Sequence, residues 1–457
     1  MTYFLKNRSV LVLIMAAGLS ACASTPYETP QVPTPAQFAH ASEGMAGEGS
    51  AATAISGDWW TAFNDPALNT LISRVLAKND NLAAAALRVQ QAQLQAGLTR
   101  LDQVPEASGS LGASTSDSTT YSASVGVSYE VDLWGRLSAN TRAANWEAQA
   151  TEEDRQAAQL ALIGTTAELY WRIAYTRQQI AVGEQNLASV RKVRDLVTLQ
   201  HDAGSVSGVE VAEADQSVNA QLASLAALEQ QLVEYRSSVT VLLGGDIWDA
   251  SAEPQSLPDV PLPEVRAGLP AELLSRRPDL RAAELRLRES LADVDITKAS
   301  LYPALTLSAS GGASSAELGS LFSTPAGSLG LGLTLPFLNY PRVKQNIRMS
   351  EKAYEIAVAN FRTTLLQALA DTDNALSNRT RLAQQGEAQA ASLAAARKAE
   401  ALYAVRYRTG SVALRVWLDA QQSARAAQLS YDNTRLSQLI NQSTLYQALG
   451  GGQDGGM

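Results

Sequence analysis

At 457 residues with 46% hydrophobic side chains the chain can bury a large core, yet its apolar content is largely alanine. Past the first twenty residues no uninterrupted apolar run is long enough to cross a bilayer as a helix, so any membrane crossing falls to strands. The formal charge of -9, or -11 once Lys6 and Arg8 leave with a leader, argues against a broad nucleic-acid-binding face.

Residues 1–21 have the layout of a secretory signal: Lys6 and Arg8, an apolar stretch from Val10 to Leu19, then Ser20, Ala21 and Cys22. Leu19-Ser20-Ala21-Cys22 resembles a bacterial lipobox, which implies acylation of Cys22 as the first mature residue. Ala23, where aspartate would suggest inner-membrane retention, favours the outer membrane. Cys22 is the only cysteine, which excludes an intrachain disulfide. Residues 22–57, with Pro26, Pro30, Pro33 and Pro35, read as an extended tether.

The remainder is one unit written twice, 58–253 and 254–451, followed by a disordered tail over 452–457. Asn81-Leu82 with Ala85, Leu87 and Val89 returns 198 residues later as Asp279-Leu280 with Ala283, Leu285 and Leu287, and Pro105 returns as Pro303. Arg136, Gly204-Ser205-Val206 and Leu243-Gly244-Gly245 return 206 residues later as Arg342, Gly410-Ser411-Val412 and Leu449-Gly450-Gly451. The eight extra residues lie between the repeated proline and the repeated arginine, so each unit has a variable loop in its first part.

Each unit opens on a helical segment and continues with period-two alternation, predicting β-hairpins at about 106–133 and 304–338. Tyr121, Ala123, Val125, Val127, Tyr129, Val131 and Leu133 alternate with Ser122, Ser124, Gly126, Ser128, Glu130 and Asp132. Leu329, Leu331, Leu333, Leu335 and Phe337 alternate with Gly330, Gly332 and Thr334. Four such strands offer no second sheet to cover, and an apolar face opposite a polar one suits a transmembrane barrel. About eight strands are the usual minimum for closure, so two, three or four chains must pool theirs.

Long helical hairpins follow at about 137–243 and 342–449, in stretches free of proline and dense in Ala, Gln, Glu, Leu and Arg. Their first arms, about 65 residues each, would be rods of roughly 100 Å. Gly204 and Gly410 mark the tips, and the paired glycines at 244–245 and 450–451 end the return helices.

Several motifs resemble the outer-membrane factors of tripartite efflux pumps, especially their lipoprotein branch. They are Asp58-Trp59-Trp60 with Phe63, Asp65-Pro66 and Leu68; the run Tyr129 to Arg136; Leu269 to Leu274 leading into Arg276-Arg277-Pro278-Asp279-Leu280; and Leu301-Tyr302-Pro303. The resemblance spans nearly the whole mature chain. It implies an α+β membrane protein: a homotrimer with a twelve-stranded β-barrel in the outer membrane, four strands per chain, continued by a long periplasmic α-helical barrel. It implies a lipid-anchored channel exporting drugs or other toxic small molecules, whose partners are a periplasmic adaptor, an inner-membrane RND-type pump and outer-membrane lipid. The tips Gly204, Ser205, Val206, Ser207, Gly410, Ser411 and Val412 would meet the adaptor, and Asp419, in Leu418-Asp419-Ala420-Gln421, would ring a periplasmic gate. The second tip departs from the family pattern at Ala413, Arg415, Val416 and Trp417, and Gln422 stands where members often carry arginine.

Enzymatic chemistry finds little support. The two histidines, His40 in the tether and His201 near a tip, are too few for a catalytic triad or a His-rich metal site, so no cofactor or metal is expected. Gly327, Gly330 and Gly332 are expected on the polar strand face rather than in a phosphate loop, since no Gly-Lys-Ser/Thr follows. Arg276, Arg277, Arg281, Arg286 and Arg288, interspersed with Glu284 and Glu289, read as a solvated helix face with i, i+4 pairs. Two alternatives remain: an exit duct for type I protein secretion, and a periplasmic helical scaffold that forms no channel.

Overall fold

The computed structural model describes residues 25–40, 57–116, 118–265 and 270–451. Cys22 and the 452–457 tail lie outside them. Two compact units form: one from the segment up to Pro33 with Ala86–Arg155 and Asp279–Leu365, the other from Thr34–Ala85, Gln156–Pro278 and Leu366–Met457.

The elements run twice in the same order. The first pass is α1 (Pro66–Lys78), α2 (Asp80–Leu101), β1 (Glu106–Thr115), β2 (Thr119–Val131), α3 (Arg136–Asp202) and α4 (Gly208–Leu242). The second is α5 (Leu273–Arg276), α6 (Pro278–Ala299), β3 (Ala304–Ser315), β4 (Ala326–Thr334), α7 (Tyr340–Arg408) and α8 (Leu414–Ala448). α3 and α7 are 67 and 69 residues long, and α4 and α8 are 35 each. The strand connections differ, residues 116–118 against 316–325, which absorbs most of the extra length in the second repeat.

In the first unit the strands form one antiparallel sheet in the order β1-β2-β3-β4. Trp134 ties the repeats together beneath it, stacking on Tyr302 at 4.8 Å and donating from Nε1 to the Pro303 carbonyl at 2.8 Å. Asp132 starts α3 by accepting from the Leu137 and Ser138 amides at 3.0 and 2.8 Å, while Arg136 pairs with Glu130 at 2.7 Å. These bonds satisfy donors that a helix start would otherwise leave open.

The second unit is built on an aromatic core. Trp59 and Phe63, in a 3-10 turn over Trp59–Phe63, reach Tyr446 and Trp171, each at 4.9 Å. Asn64 turns the chain through φ +52°, and Asp65 caps α1 while accepting from the Tyr170 hydroxyl at 2.7 Å. Burial, together with the Asp65 carboxylate, pushes the Tyr170 hydroxyl above its ordinary range.

The repeat is visible at the level of single hydrogen bonds. Gly204, Gly244, Gly410 and Gly450 all have positive φ and close the same C-terminal motif. The following amide reaches five residues back in each case: Ser205 to Gln200, Gly245 to Thr240, Ser411 to Arg406 and Gly451 to Tyr446, all at 2.8–2.9 Å. Asn79 donates to the Leu242 carbonyl, and its counterpart 198 residues on, Arg277, donates to Ala448.

Two expectations need correction. The proline-rich segment carries packing residues: Phe38 is only 5% exposed, and His40 contacts Asp373 at 2.8 Å. Separately, Thr25 bonds Asp295, and Arg288 lies over the Tyr27 ring at 4.6 Å. The arginine cluster is not simply a solvated face with local pairs. Arg281 reaches Glu153 at 2.6 Å and Arg286 reaches Asp154 and Glu147, all on α3; the local pairs are Arg276–Glu272 and Arg288–Glu284, each at 2.8 Å. Carboxylates on α3 outcompete local ones because α6 packs beside that helix.

Candidate functional site

Sheet register decides which side chains share a face. Leu111 pairs with Ala123 and Ala123 with Ala313; Val125 with Gly311 and Gly311 with Gly327; Val127 with Ala309 and Ala309 with Leu329; Tyr129 with Leu307 and Leu307 with Leu331. This face is apolar or small apart from Thr115, Thr119 and Ser315 at its end, and Leu329 on it is 90% exposed. The other face carries Ser108, Ser110, Ser122, Ser124, Ser128, Ser308, Ser310 and Ser328 with Gly112, Gly126, Gly312, Gly330 and Gly332.

Cross-strand hydroxyl pairs link Ser110 to Ser124 and Ser310 to Ser328, each at 2.8 Å. Gly330 and Gly332 thus lie on the polar face as expected, but Gly327 does not. Its register with Gly311 puts it on the apolar side, two residues from Leu329. No helix among the described residues is long and apolar enough to cross a membrane. An exposed apolar sheet face of this extent is a surface that lipid or another chain would cover.

The hairpin tips use different chemistry at corresponding positions. At the first, Ser207 and Glu210 form a capping box that starts α4, with Val209 donating to the Ser207 hydroxyl at 3.2 Å and Ser207 donating to Glu210 at 3.1 Å. The Ser207 hydroxyl and the local backbone hold the Glu210 carboxyl below its ordinary range. At the second, 206 residues on, Ala413 and Val416 provide no such cap. Instead Trp417, 8% exposed, joins Leu414, Val193 and Val197 in a buried cluster and stacks on Tyr407.

Tyr407 donates to Gln200 Oε1 at 2.9 Å, and its hydroxyl is pushed up by burial and by Glu210. Of the expected contact residues, Gly204, Ser205, Ser207, Gly410 and Ser411 are exposed, whereas Val206 and Val412 are half-buried. His201 is exposed at the tip, as expected. The Tyr407–Trp417 pair escaped the sequence reading, although an aromatic three residues before the tip glycine and another seven after it were its available signal.

Asp419 lies on α8 just beyond this cluster, 74% exposed, with Arg415 Nε 4.0 Å from its Oδ2. The exposed pair is weak and leaves the carboxylate accessible. Among the described residues no group of three or more His, Cys, Asp or Glu is arranged to hold a metal ion.

A sheet with one exposed, largely apolar face and one lined by hydroxyls, on a chain with two long helical hairpins, is the arrangement of a membrane channel subunit. The family model described as outer membrane efflux protein matches residues 71–245 and 269–451, one span in each repeat. The pyoverdine export outer membrane protein OpmQ of Pseudomonas aeruginosa is 34% identical, aligned over 98% of this chain and 97% of its own. The cation efflux system protein CusC of Escherichia coli is 28% identical over 97% and 99%.

Among solved structures, the outer-membrane channel OprN superimposes with TM-score 0.83 at 26% identity, covering 94% of this chain and 99% of its own. The open state of the Neisseria gonorrhoeae MtrE outer membrane channel gives TM-score 0.81 at 26% identity, covering 94% and 98%. The chain belongs to the outer membrane efflux protein family. It is an outer-membrane transport protein of efflux, in a family of channels rather than enzymes.

Proposed function

We propose that three copies of this chain pool their strands into one twelve-stranded barrel, with the Leu329 face toward lipid and the serine face toward the lumen. The helical hairpins continue it as a periplasmic barrel. The observation that carries this reading is a sheet apolar along most of one face, from Ala107 to Ala113 and Tyr121 to Val131 and across to Leu333, whose β1 and β4 each have one unpaired edge among the described residues. Closing a barrel removes those edges; two, three or four copies would supply about eight strands or more, and the likeness to the outer-membrane factors selects three.

The duct takes small molecules from an inner-membrane RND-type pump through a periplasmic adaptor that contacts the tips at 204–207 and 410–412. Asp419 lines the periplasmic constriction, and Cys22 anchors the chain in lipid. The conduit need only pass what its pump delivers: relatives carry names as different as pyoverdine export and cation efflux. The proposed lumen face is mostly serine and glycine but also carries the carboxylates Glu106 and Glu130, the latter paired with Arg136 at 2.7 Å. The sequence repeats 58–253 and 254–451 each contribute segments to both compact units.

The mass of the purified complex in detergent tests the assembly: three chains are expected, and a stable monomer with full strand content would sink it. Cys22→Ala should abolish lipid labelling and leave that mass unchanged. A deletion strain should accumulate the pump's substrate and recover with the wild-type chain. Recovery of a secreted polypeptide alone would favour the type I secretion reading.

A further inference from the structure

Where β4 passes into α7, the chain carries its side chains in the order in which a bilayer presents its layers. Leu329, Leu331 and Leu333 are exposed on the apolar sheet face, Phe337, Leu338 and Tyr340 are exposed just beyond, and Lys344 and Arg348 follow on the first turns of α7. Phe337, Tyr340, Lys344 and Arg348 are spaced three, four and four residues apart, which puts them along one side of the helix. Lys344 Nζ lies 5.8 Å from the Tyr340 ring centroid, holding the cation against the aromatic.

Neither Lys344 nor Arg348 has a carboxylate partner among the described residues. Cations further along do: Lys352 contacts both oxygens of Glu355 at 2.7 Å, and Lys298 faces Glu351 at 3.7 Å. The corresponding junction of the first repeat is neutralised, with Arg136 on Glu130 at 2.7 Å and Arg142 on Asp295 at 3.8 Å. The second junction therefore joins an apolar surface to three cations, Arg342, Lys344 and Arg348, that pair with no carboxylate among the described residues.

We propose that this stripe is a seat for an anionic phospholipid of the periplasmic leaflet. Its acyl chains lie against Leu329 to Leu333 and Phe337, and its phosphate between Lys344 and Arg348. The occupant follows from charge complementarity and from continuity with the lipid-facing sheet. A phosphate diester placed there accepts charge-assisted hydrogen bonds from both side chains, while the aromatic pair sits at headgroup depth. The inference rests on the barrel reading above.

Native mass spectrometry of the detergent-purified full-length protein, with phosphatidylglycerol or phosphatidylcholine of identical chains added, tests it. Wild type should retain several-fold more phosphatidylglycerol than phosphatidylcholine. Lys344→Gln with Arg348→Gln should lose that preference, and Lys352→Gln should keep it. Equal retention of both lipids by wild type, or an unchanged preference in the double variant, overturns the proposal. So does a double variant that falls apart into monomers, which would assign the cations to a contact between copies. The same spectra report chain number: a wild-type monomer that still selects phosphatidylglycerol would refute the trimeric barrel and leave the lipid seat standing.

Discussion

Trp417 stacks on Tyr407 with ring centroids 5.3 Å apart and an interplanar angle of 29°, binding the start of α8 to the end of α7. Because Ala413 supplies no cap, this packing replaces the hydrogen bonds that Ser207 and Glu210 provide at the first tip. Truncating a buried tryptophan costs about 3–5 kcal/mol. Trp417→Ala should therefore lower hydrogen-exchange protection in 193–200 and 403–417. Trp417→Phe should retain most of it, because the indole Nε1 has no partner to lose among the described residues. Unchanged protection in the alanine variant would mean that the cluster does not hold the tip.

Gly450 and Gly410 separate backbone strain from steric conflict. Both have positive φ, +91° and +71°. A Cβ on Gly450 would stand 2.6 Å from the Arg276 carbonyl oxygen, whereas one on Gly410 meets nothing within 4 Å. Left-handed backbone costs a non-glycine residue about 1–2 kcal/mol, so both alanine variants lose that much. Gly450→Ala, and likewise Gly244→Ala with Lys78 O at 2.7 Å, must also displace backbone. Thermal unfolding should show a clearly larger drop for these two than for Gly410→Ala; equal drops would contradict the close approach.

The two sheet faces should respond differently to charge. Val127 is in register with Ala309 and Leu329, and Ser128 with Ser308 and Gly330. Arginine at mid-membrane on a lipid face costs roughly 2–4 kcal/mol, and far less on a wet face. Val127→Arg should reduce the yield of assembled protein in the outer membrane well below that of Ser128→Arg. Equal yields would mean that the faces are reversed or neither meets lipid.

Glu289 gives the first unit a pH dependence of definite sign. Burial, then the Glu147 and Asp293 carboxylates, push its carboxyl up to about 7, with Arg286 opposing. The folded state therefore binds a proton that the unfolded chain has already lost, and stability falls as pH rises from the ordinary glutamate value toward 7. Asp293, raised by its own burial, acts in the same direction. Glu210, held low, acts oppositely, but only below the ordinary glutamate range, outside this window. The melting temperature should be higher at pH 5 than at pH 8, and Glu289→Gln should flatten the difference. A difference that survives the substitution would assign it to other groups.

The strands and hairpins were legible because period two, missing prolines and tip glycines are local signals. The face of Gly327 is not legible in the sequence because glycine has no side chain to report its side; only its pairing with Gly311 decides. The partners of Arg281 and Arg286 lie 128 and 132 residues away, a distance that helix periodicity does not encode. Phe38 in the proline-rich segment was hidden because a lone aromatic among prolines has no period to mark it as buried. The gate remains a family-based placement, since its geometry would exist only when Asp419 residues from several copies meet.

Asp419 is where that placement can be tested. Its only ion-pair partner seen among the described residues is Arg415 at 4.0 Å, and with side chains 74% and 76% exposed the pair contributes little to stability. Asp419→Ala should therefore leave the melting temperature and the complex mass unchanged. In a three-fold ring, carboxylates roughly 6 Å apart at an effective dielectric near 20 repel by about 3 kcal/mol per pair, so the closed ring needs bound cations or nearby guanidinium groups. Gln422 withholds one such group, leaving Arg415 as the near cation on this helix. A ring of this kind favours cations and tightens when they bind. In planar bilayers Asp419→Ala should lower cation selectivity and weaken the block of conductance by divalent cations, and Arg415→Gln should strengthen that block by leaving the carboxylates uncompensated. Wild-type selectivity and block in purified Asp419→Ala channels would show that this carboxylate lies away from the constriction.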